Sequence, residues 1–254
     1  MQTEIINLAI NAGRAKTAKS TATLLTQAVM AGAFISLGGM LSVFLGYGFP
    51  GLSAGNPGLQ RLLSGLAFPV GLFLIVLFGG ELFTGNNAVL IPALARRHYG
   101  FVAVLRNWTL VWLGNLAGCL LFTWLFGLMG GLAELSPYRE ALQGIASAKA
   151  SLPAVQVLVR GIAANWCVCL AVWLAMSAKT LGQKALACWI PVAAFVILGF
   201  EHSIANMFFI PCGMIAGSAA TIGAAAHNIL WATLGNIIGG ALLVGALFHR
   251  LYGK

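Results

Sequence analysis

The chain has 254 residues, of which 60% are hydrophobic and only 7% are charged, and its formal net charge is +9. A soluble domain carries about 25% charged residues, so this composition excludes an ordinary water-soluble fold and indicates that lipid surrounds most of the chain. The basic residues lie in short segments between apolar runs, which is typical of topology determinants in membranes and argues against a nucleic-acid partner.

The first predicted element is an amphipathic helix over residues 1–22, in which apolar positions recur at roughly helical spacing. The segment lacks a basic region that leads directly into an apolar run, and it has no clear cleavage site. We therefore do not expect a cleaved signal peptide. Such a helix is expected to lie at the membrane interface on the cytoplasmic side.

Six apolar stretches follow, and about 20 apolar residues suffice to cross a bilayer as a helix. They span roughly 24–46, 62–94, 103–129, 154–177, 185–211 and 224–248, with connectors at 47–61, 130–153 and 212–223. Six spans place both termini on one side, and that side holds ten of the fourteen basic residues. Because positive charge favours the cytoplasm, both termini are predicted to be cytoplasmic.

The second and fifth spans each contain a glutamate, Glu81 and Glu201, and each ends near a proline, Pro92 and Pro211. An ionisable side chain at membrane depth costs roughly 2.5 kcal/mol or more and is usually functional. We predict that both helices are broken there. The two glutamates and Asn87 are predicted to support the breaks, with the carboxylates accepting hydrogen bonds from backbone N–H groups that the breaks leave free.

The third and sixth spans share a pattern at an offset of 121 residues, with Asn107 and Asn115 matching Asn228 and Asn236, while the two glutamates match at 120. This predicts an internal repeat of three spans, 24–129 and 154–248. An odd number of spans inverts the second copy. The predicted fold is thus an all-α membrane domain in which two broken helices meet at mid-bilayer. Asn115 and Asn236 fit either helix–helix contacts or pore lining.

The five cysteines all fall in or beside apolar segments, where free thiols behave as small apolar residues. Neither a disulfide framework nor a metal or cofactor site is predicted. The chain also has no HExxH motif, paired aspartates or cofactor fingerprint, so no enzymatic activity is expected.

Four segments carry a resemblance to a known family. They read FGGELFTGNN (78–87), NWCVCLAVWLA (165–175), GFEHSIANMFFIP (199–211) and TLGNIIGG (233–240). With these the chain resembles the formate/nitrite transporter family of anion channels. The resemblance implies an aquaporin-like protomer, a homopentamer with one pore in each protomer, and a place in the cytoplasmic membrane of a bacterium or archaeon.

The resemblance also implies a pore with two apolar constrictions on either side of a central histidine, His202. Phe78 and Phe195 correspond to the periplasmic constriction, and Leu82 and Leu94 to the cytoplasmic one. The remaining residues of the implied pathway are Thr84, Lys149 in the outer vestibule, Asn206 and Asn236.

These residues predict a passive, pH-dependent channel for small monovalent anions, with formate as the leading substrate. An imidazole titrates near pH ~6.5, so His202 is predicted to assist protonation of the anion, which then crosses as a weak acid. Nitrite, hydrosulfide and proton-coupled symport of these anions stay open. A neutral-solute channel is a remote alternative, because the paired Asn-Pro-Ala boxes expected of one do not occur.

Overall fold

The computed structural model describes residues 2–253, and the chain over this range is helical with no strand. Met1, assigned above to the N-terminal helix, and Lys254, assigned to the cytoplasmic side, lie outside the described residues. The first helix, α1 (Gln2–Thr17), occupies the segment predicted to be amphipathic, and its apolar side chains Ile6 and Ile10 are buried.

The first half of the chain continues with the following helices: α2 (Thr21–Tyr47), α3 (Pro50–Ser53), α4 (Pro57–Ala67), α5 (Val70–Phe78), α6 (Phe83–Val89), α7 (Ile91–Ala95) and α8 (Phe101–Phe122). A π-helical segment, Thr123–Met129, extends α8. The second half contains α9 (Tyr138–Ala150), α10 (Ala154–Ser177), α11 (Leu181–Ile197), α12 (Ser203–Ile215) and α13 (Ile222–Ile237). A second π-helical segment, Ile238–Ala246, and α14 (Leu247–Tyr252) end it.

Helix α9 lies in the segment 130–153, which the sequence analysis assigned to a connector. Its polar residues give it no span-like hydropathy, although one face carries the buried side chains Ala141, Leu142 and Ala146. This face packs against α12. Helix α9 thus stands before α10 as α1 stands before α2.

Within residues 2–253, five helical stretches are long and apolar enough to cross a membrane: Thr21–Tyr47, Pro57–Phe78, Phe101–Met129, Ala154–Ser177 and Ile222–Tyr252. Helices α11 and α12 are apolar but shorter. Together they occupy the fifth predicted span, 185–211.

Two short non-helical segments interrupt apolar runs, at 79–82 between α5 and α6 and at 198–202 between α11 and α12. Each contains a glycine in the left-handed region, Gly79 with φ 71° and Gly199 with φ 70°. A side chain is strained at such φ values, whereas glycine adopts them freely. A left-handed glycine therefore follows the end of both α5 and α11, and in each case the buried glutamate comes two residues later.

The short helices after the interruptions each pack against the other half of the chain. Helix α6 contacts α10 and the segment Ile238–Ala246, and helix α12 contacts α2 and α8. Helix α6 is buried over its whole length, and nine of the thirteen residues of α12 are buried. The last two residues of each interruption, Glu81 with Leu82 and Glu201 with His202, are buried, so their backbone groups need partners within the protein.

Candidate functional site

Two cavities open at opposite ends of α2, which is 27 residues long and spans about 40 Å at 1.5 Å per residue. The inner cavity, about 420 Å³, lies beside α1 and is lined by Lys16, Lys19, Glu81 and Leu82 among others. The outer cavity, about 200 Å³, lies near Tyr47 and is lined by Lys149, Phe195, His202 and Asn206 among others. We name them after the predicted cytoplasmic position of α1.

The inner cluster is built around Glu81, which is 0% exposed. Its carboxylate accepts hydrogen bonds from the ammonium groups of Lys16 at 2.9 Å and Lys19 at 2.7 Å. The side-chain amide of Asn86 donates to it at 2.7 Å and also to Asn107 Oδ1 at 2.9 Å. Burial lowers the pKa of Lys16, and the Glu81 carboxylate opposes that shift.

The outer cluster repeats this arrangement around Glu201, which is 2% exposed. Its carboxylate accepts from Lys149 at 2.9 Å and from the Asn206 amide at 2.6 Å. Asn206 also donates to Asn228 Oδ1 at 2.7 Å. Each glutamate is thus bound by at least one ammonium and by the asparagine five residues later, which also donates to a second asparagine on a following long helix; that second asparagine, Asn228, donates directly to Glu201 as well, at 3.2 Å.

The predicted partners of the two glutamates were wrong. Among the described residues no backbone N–H donates to either carboxylate, whose partners are ammonium and side-chain amide groups. The reason is that a buried carboxylate is stabilised best by an opposite charge with further hydrogen bonds. Neutral asparagines are sufficient for the backbone groups.

Those asparagines are Asn115 and Asn236, both fully buried. Asn115 Oδ1 accepts from the Phe83 N–H at 2.9 Å, and its amide donates to the carbonyls of Ala28 and Glu81 at 2.8 Å each. Asn236 Oδ1 accepts from the Ser203 N–H at 2.8 Å. Its amide donates to the carbonyls of Gly161 at 2.8 Å and Glu201 at 3.1 Å. Both lie outside the cavity linings, so they brace the interruptions.

A layer of buried side chains separates the two cavities, and it contains His202 and Thr84. The imidazole Nε2 lies 3.0 Å from Thr84 Oγ1. Nδ1 accepts the Ala205 backbone N–H at 3.0 Å, as an N-cap of α12. Because Nδ1 acts as an acceptor, the proton of a neutral ring lies on Nε2 and points to Thr84. The layer therefore offers one N–H and one hydroxyl.

Two side chains of α10 donate hydrogen bonds to the backbone carbonyl of Thr84. Asn165 Nδ2 donates to the Thr84 carbonyl at 3.1 Å and to Asn87 Oδ1 at 3.1 Å, and the Cys169 thiol donates to the same carbonyl at 3.2 Å. Asn87 itself is fully buried. Through Asn165 it is linked to the Thr84 carbonyl in α6, and it lines neither cavity.

Apolar side chains complete the layer on each side. On the outer side the Phe195 ring stacks on His202 with centroids 5.7 Å apart and meets Phe68 edge-on at 5.8 Å. On the inner side Leu82 lines the cavity together with Leu72. Both leucines are nearly buried, at 4% and 2% exposure.

Besides Asn236, two more residues of the expected pathway lie elsewhere. Phe78 is 60% exposed, lies against Phe34 at a centroid distance of 6.1 Å and lines neither cavity. Leu94, in α7, is partly buried against the main hydrophobic core and lines neither cavity. Phe78 is the last residue of α5, and its side chain points to the outside of the protomer. Leu94 belongs to α7, which comes after the interrupted segment and α6. The ring next to Phe195 is that of Phe68, and the leucine that lines the inner cavity with Leu82 is Leu72.

The lysines of α1 and the turn after it were also not assigned to the site from the sequence. The structure relates one of them to the outer cluster, because Lys16 precedes Lys149 by 133 residues, and the carbonyls that accept from Asn115 and Asn236, at Ala28 and Gly161, are separated by the same interval.

Comparisons with known proteins agree with this geometry. The family model described as formate/nitrite transporter matches residues 3–250. An uncharacterised transporter, YrhG of Bacillus subtilis (strain 168), is 40% identical over 251 residues, which cover 99% of this chain and 93% of the relative. The formate channel BtFdhC of Bacillus thuringiensis is 37% identical over 251 residues, with 99% and 95% covered.

Solved structures give the same result. A structure described as an FNT family ion channel superposes with a TM-score of 0.89 at 29% identity, over 99% of both chains. A pentameric formate channel with formate bound superposes with a TM-score of 0.78 at 29% identity, over 92% of this chain and 98% of that one. With its family match over nearly the whole chain, this protein belongs to the formate/nitrite transporter family.

Proposed function

We propose that the protein is a passive channel for small monovalent anions, with formate as its leading substrate. The arrangement that carries this proposal is a pair of basic cavities at opposite ends of α2, separated by an apolar layer that contains one imidazole and one hydroxyl. The formate channel from Bacillus thuringiensis and the formate-bound pentameric channel support formate as the substrate.

The cavities and the layer perform different physical tasks. Ammonium groups that line a cavity raise the local concentration of anions. An anion cannot cross an apolar layer cheaply, because the desolvation of an isolated charge costs many kcal/mol. A neutral acid avoids most of that cost. We infer that the anion enters as an anion, binds a proton, and crosses as the acid.

In this scheme His202 and Thr84 assist the crossing as the polar groups of the layer. The Nε2–H and the Thr84 hydroxyl lie 3.0 Å apart, so a small oxyacid or its anion between them can exchange that hydrogen bond for two of its own. Phe68 and Phe195 form the proposed outer constriction, and Leu72 and Leu82 form the inner one. These pairs replace the earlier assignments of Phe78 and Leu94.

The proposed architecture has six spans in two inverted three-span repeats, 24–129 and 154–248, with the second and fifth spans broken. The matched contacts of Glu81 with Asn86 and of Glu201 with Asn206 support it, because equivalent contacts are expected from equivalent positions. We also propose a homopentamer in the cytoplasmic membrane of a bacterium or archaeon, with both termini cytoplasmic. The distribution of basic residues supports this orientation.

The experiment is formate flux into proteoliposomes between pH 5 and 8, for wild-type protein, His202→Phe and Thr84→Val. For a carboxylic acid above its own pKa, the neutral fraction rises roughly tenfold for each unit of falling pH. We expect wild-type flux to rise as pH falls. His202→Phe is expected to abolish the flux or its pH dependence, and Thr84→Val to lower the flux by a smaller factor.

Lys179→Gln serves as the control for general effects of substitution, because Lys179 is exposed and lines neither cavity. Unchanged flux in His202→Phe across the whole pH range, with the variant still assembled, removes His202 from the mechanism. Parallel assays with nitrite and hydrosulfide rank the substrates. Reversal potentials at imposed proton gradients distinguish a bare-anion current from proton-coupled movement.

A further inference from the structure

The two carboxylate clusters differ in one cation. Glu201 is paired with one ammonium, that of Lys149, whereas Glu81 is paired with two, those of Lys16 and Lys19. Lys16 has Lys149 as its counterpart 133 residues later, but at the same interval from Lys19 the chain has Leu152. Lys19 is therefore an addition to the inner cluster that the repeat does not explain.

Two hydrogen bonds fix the Lys19 ammonium beside the interrupted segment 79–82. It lies 2.7 Å from Glu81 Oε1 and 2.7 Å from Gln27 Oε1. The Gln27 carbonyl in turn accepts the Glu81 backbone N–H at 3.2 Å. The side chain is 26% exposed and lines the inner cavity. Its charge thus faces the space that an anion occupies.

A count of formal charges shows the consequence. The inner cavity is lined by three lysines, Lys16, Lys19 and Lys184, and one carboxylate, Glu81. The outer cavity is lined by Arg61 and Lys149, and Glu201 is paired with Lys149 behind the wall. In each cluster the single carboxylate neutralises one positive charge. The inner cavity keeps a net charge of two, and the outer cavity keeps one.

We propose that Lys19 makes the inner cavity the tighter anion site, so that transport half-saturates at a lower anion concentration from the inner face than from the outer face. This inference rests on the proposed function, because it assigns unequal affinities to the two ends of the same pathway. Lys19 acts here through its charge on the cavity. Its hydrogen bonds to Glu81 and Gln27 fix where that charge lies.

A purely structural role makes a different prediction. If Lys19 only anchors the turn between α1 and α2, then loss of the residue lowers stability and flux from both faces alike. A role through charge shifts the half-saturation concentration on one face only, and that shift weakens as salt screens the charge. Lys19→Arg keeps the charge, and Lys19→Gln keeps hydrogen-bonding capacity without it. Together they separate the two roles.

The experiment measures initial formate flux from each face in right-side-out and inverted membrane vesicles at low and high ionic strength. The protease accessibility of an N-terminal tag identifies the face that carries α1. For wild type we expect the half-saturation concentration to be lower on the α1 face. Lys19→Gln is expected to raise that value roughly threefold to tenfold at low salt, from one unit charge at a distance of about 10 Å in a partly aqueous cavity.

Lys19→Arg is expected to restore the wild-type asymmetry, while Lys179→Gln is expected to leave it unchanged. Equal half-saturation on both faces of the wild type, or an asymmetry that Lys19→Gln and high salt both leave intact, overturns the inference. The wild-type comparison requires no variant to fold. Absence of any formate flux in the wild type contradicts the proposed function itself, which is a separate outcome.

Discussion

The two interrupted segments and the helices after them share a scaffold and differ at the positions that carry His202 and Thr84. Glu81 and Asn86 correspond to Glu201 and Asn206, and their hydrogen bonds correspond as well. At an offset of 120 residues, however, the position of Leu82 in the first half is occupied by His202 in the second, and the position of Thr84 is occupied by Ile204. The shared residues satisfy the backbone and the buried charges. The polar chemistry of the layer arises only where the two halves differ.

The largest expected effect follows from removal of a buried carboxylate. Glu201→Leu leaves one ammonium without its partner, and loss of one member of a buried ion pair costs about 3–5 kcal/mol. Glu81→Leu leaves two ammonium groups unpaired, so we expect the larger loss of stability there. Thermal unfolding in detergent measures both variants. Equal melting temperatures for the two variants contradict the interpretation that Glu81 stabilises two ammonium groups, those of Lys16 and Lys19.

The next effect tests the shared part of the scaffold. Asn115→Leu and Asn236→Leu each remove three buried hydrogen bonds and leave a backbone N–H and two carbonyls without those partners. A buried polar group left unsatisfied costs about 1–3 kcal/mol. We expect nearly equal decreases in melting temperature for the two variants. A strong difference between them argues against equivalent bracing of the two interruptions.

A smaller effect is expected at the glycines that end α5 and α11. An added Cβ meets no atom within 4 Å at Gly79 or Gly199, so Gly→Ala at either position tests backbone strain alone. The left-handed conformation costs a residue with a Cβ about 1–2 kcal/mol. We expect both substitutions to be destabilising by similar amounts.

Gly144→Ala is the matched control. Gly144 is exposed within α9, and an added Cβ there also meets no atom within 4 Å. Alanine in a helix interior is favoured over glycine by about 1 kcal/mol, so this variant is expected to be slightly more stable than wild type. A neutral result at Gly79 with a stabilised Gly144→Ala indicates that the interruption relaxes without glycine.

Much of the fold follows from the sequence, because the long apolar runs and the buried glutamates dictate where spans and interruptions lie. The observed α10, Ala154–Ser177, coincides with the predicted span 154–177, and both interruptions fall at the glutamates. Helix α9 could not be predicted in this way, since a short helix with polar residues resembles a connector. Its importance depends on tertiary contact with α12.

The chemistry of the site was only partly predictable. The family resemblance identified His202, and the structure places it in the lining of the outer cavity beside Thr84. The partners of the glutamates depend on Lys16, Lys19 and Lys149, which are remote in sequence. The aromatic pair at the outer side depends on how the turn between α4 and α5 packs against α11, because Phe68 lies in that turn and Phe195 on that helix. Local patterns carry neither kind of information.

The central claim is that the anion crosses the layer at His202 as a neutral acid. The most direct test records formate uptake and internal pH together, in proteoliposomes that contain a pH-sensitive dye and a voltage indicator, with protein-free liposomes as the control for leakage through lipid. If formate crosses as formic acid, one proton enters with each formate and no membrane potential develops. Uptake that generates a membrane potential without internal acidification contradicts the claim.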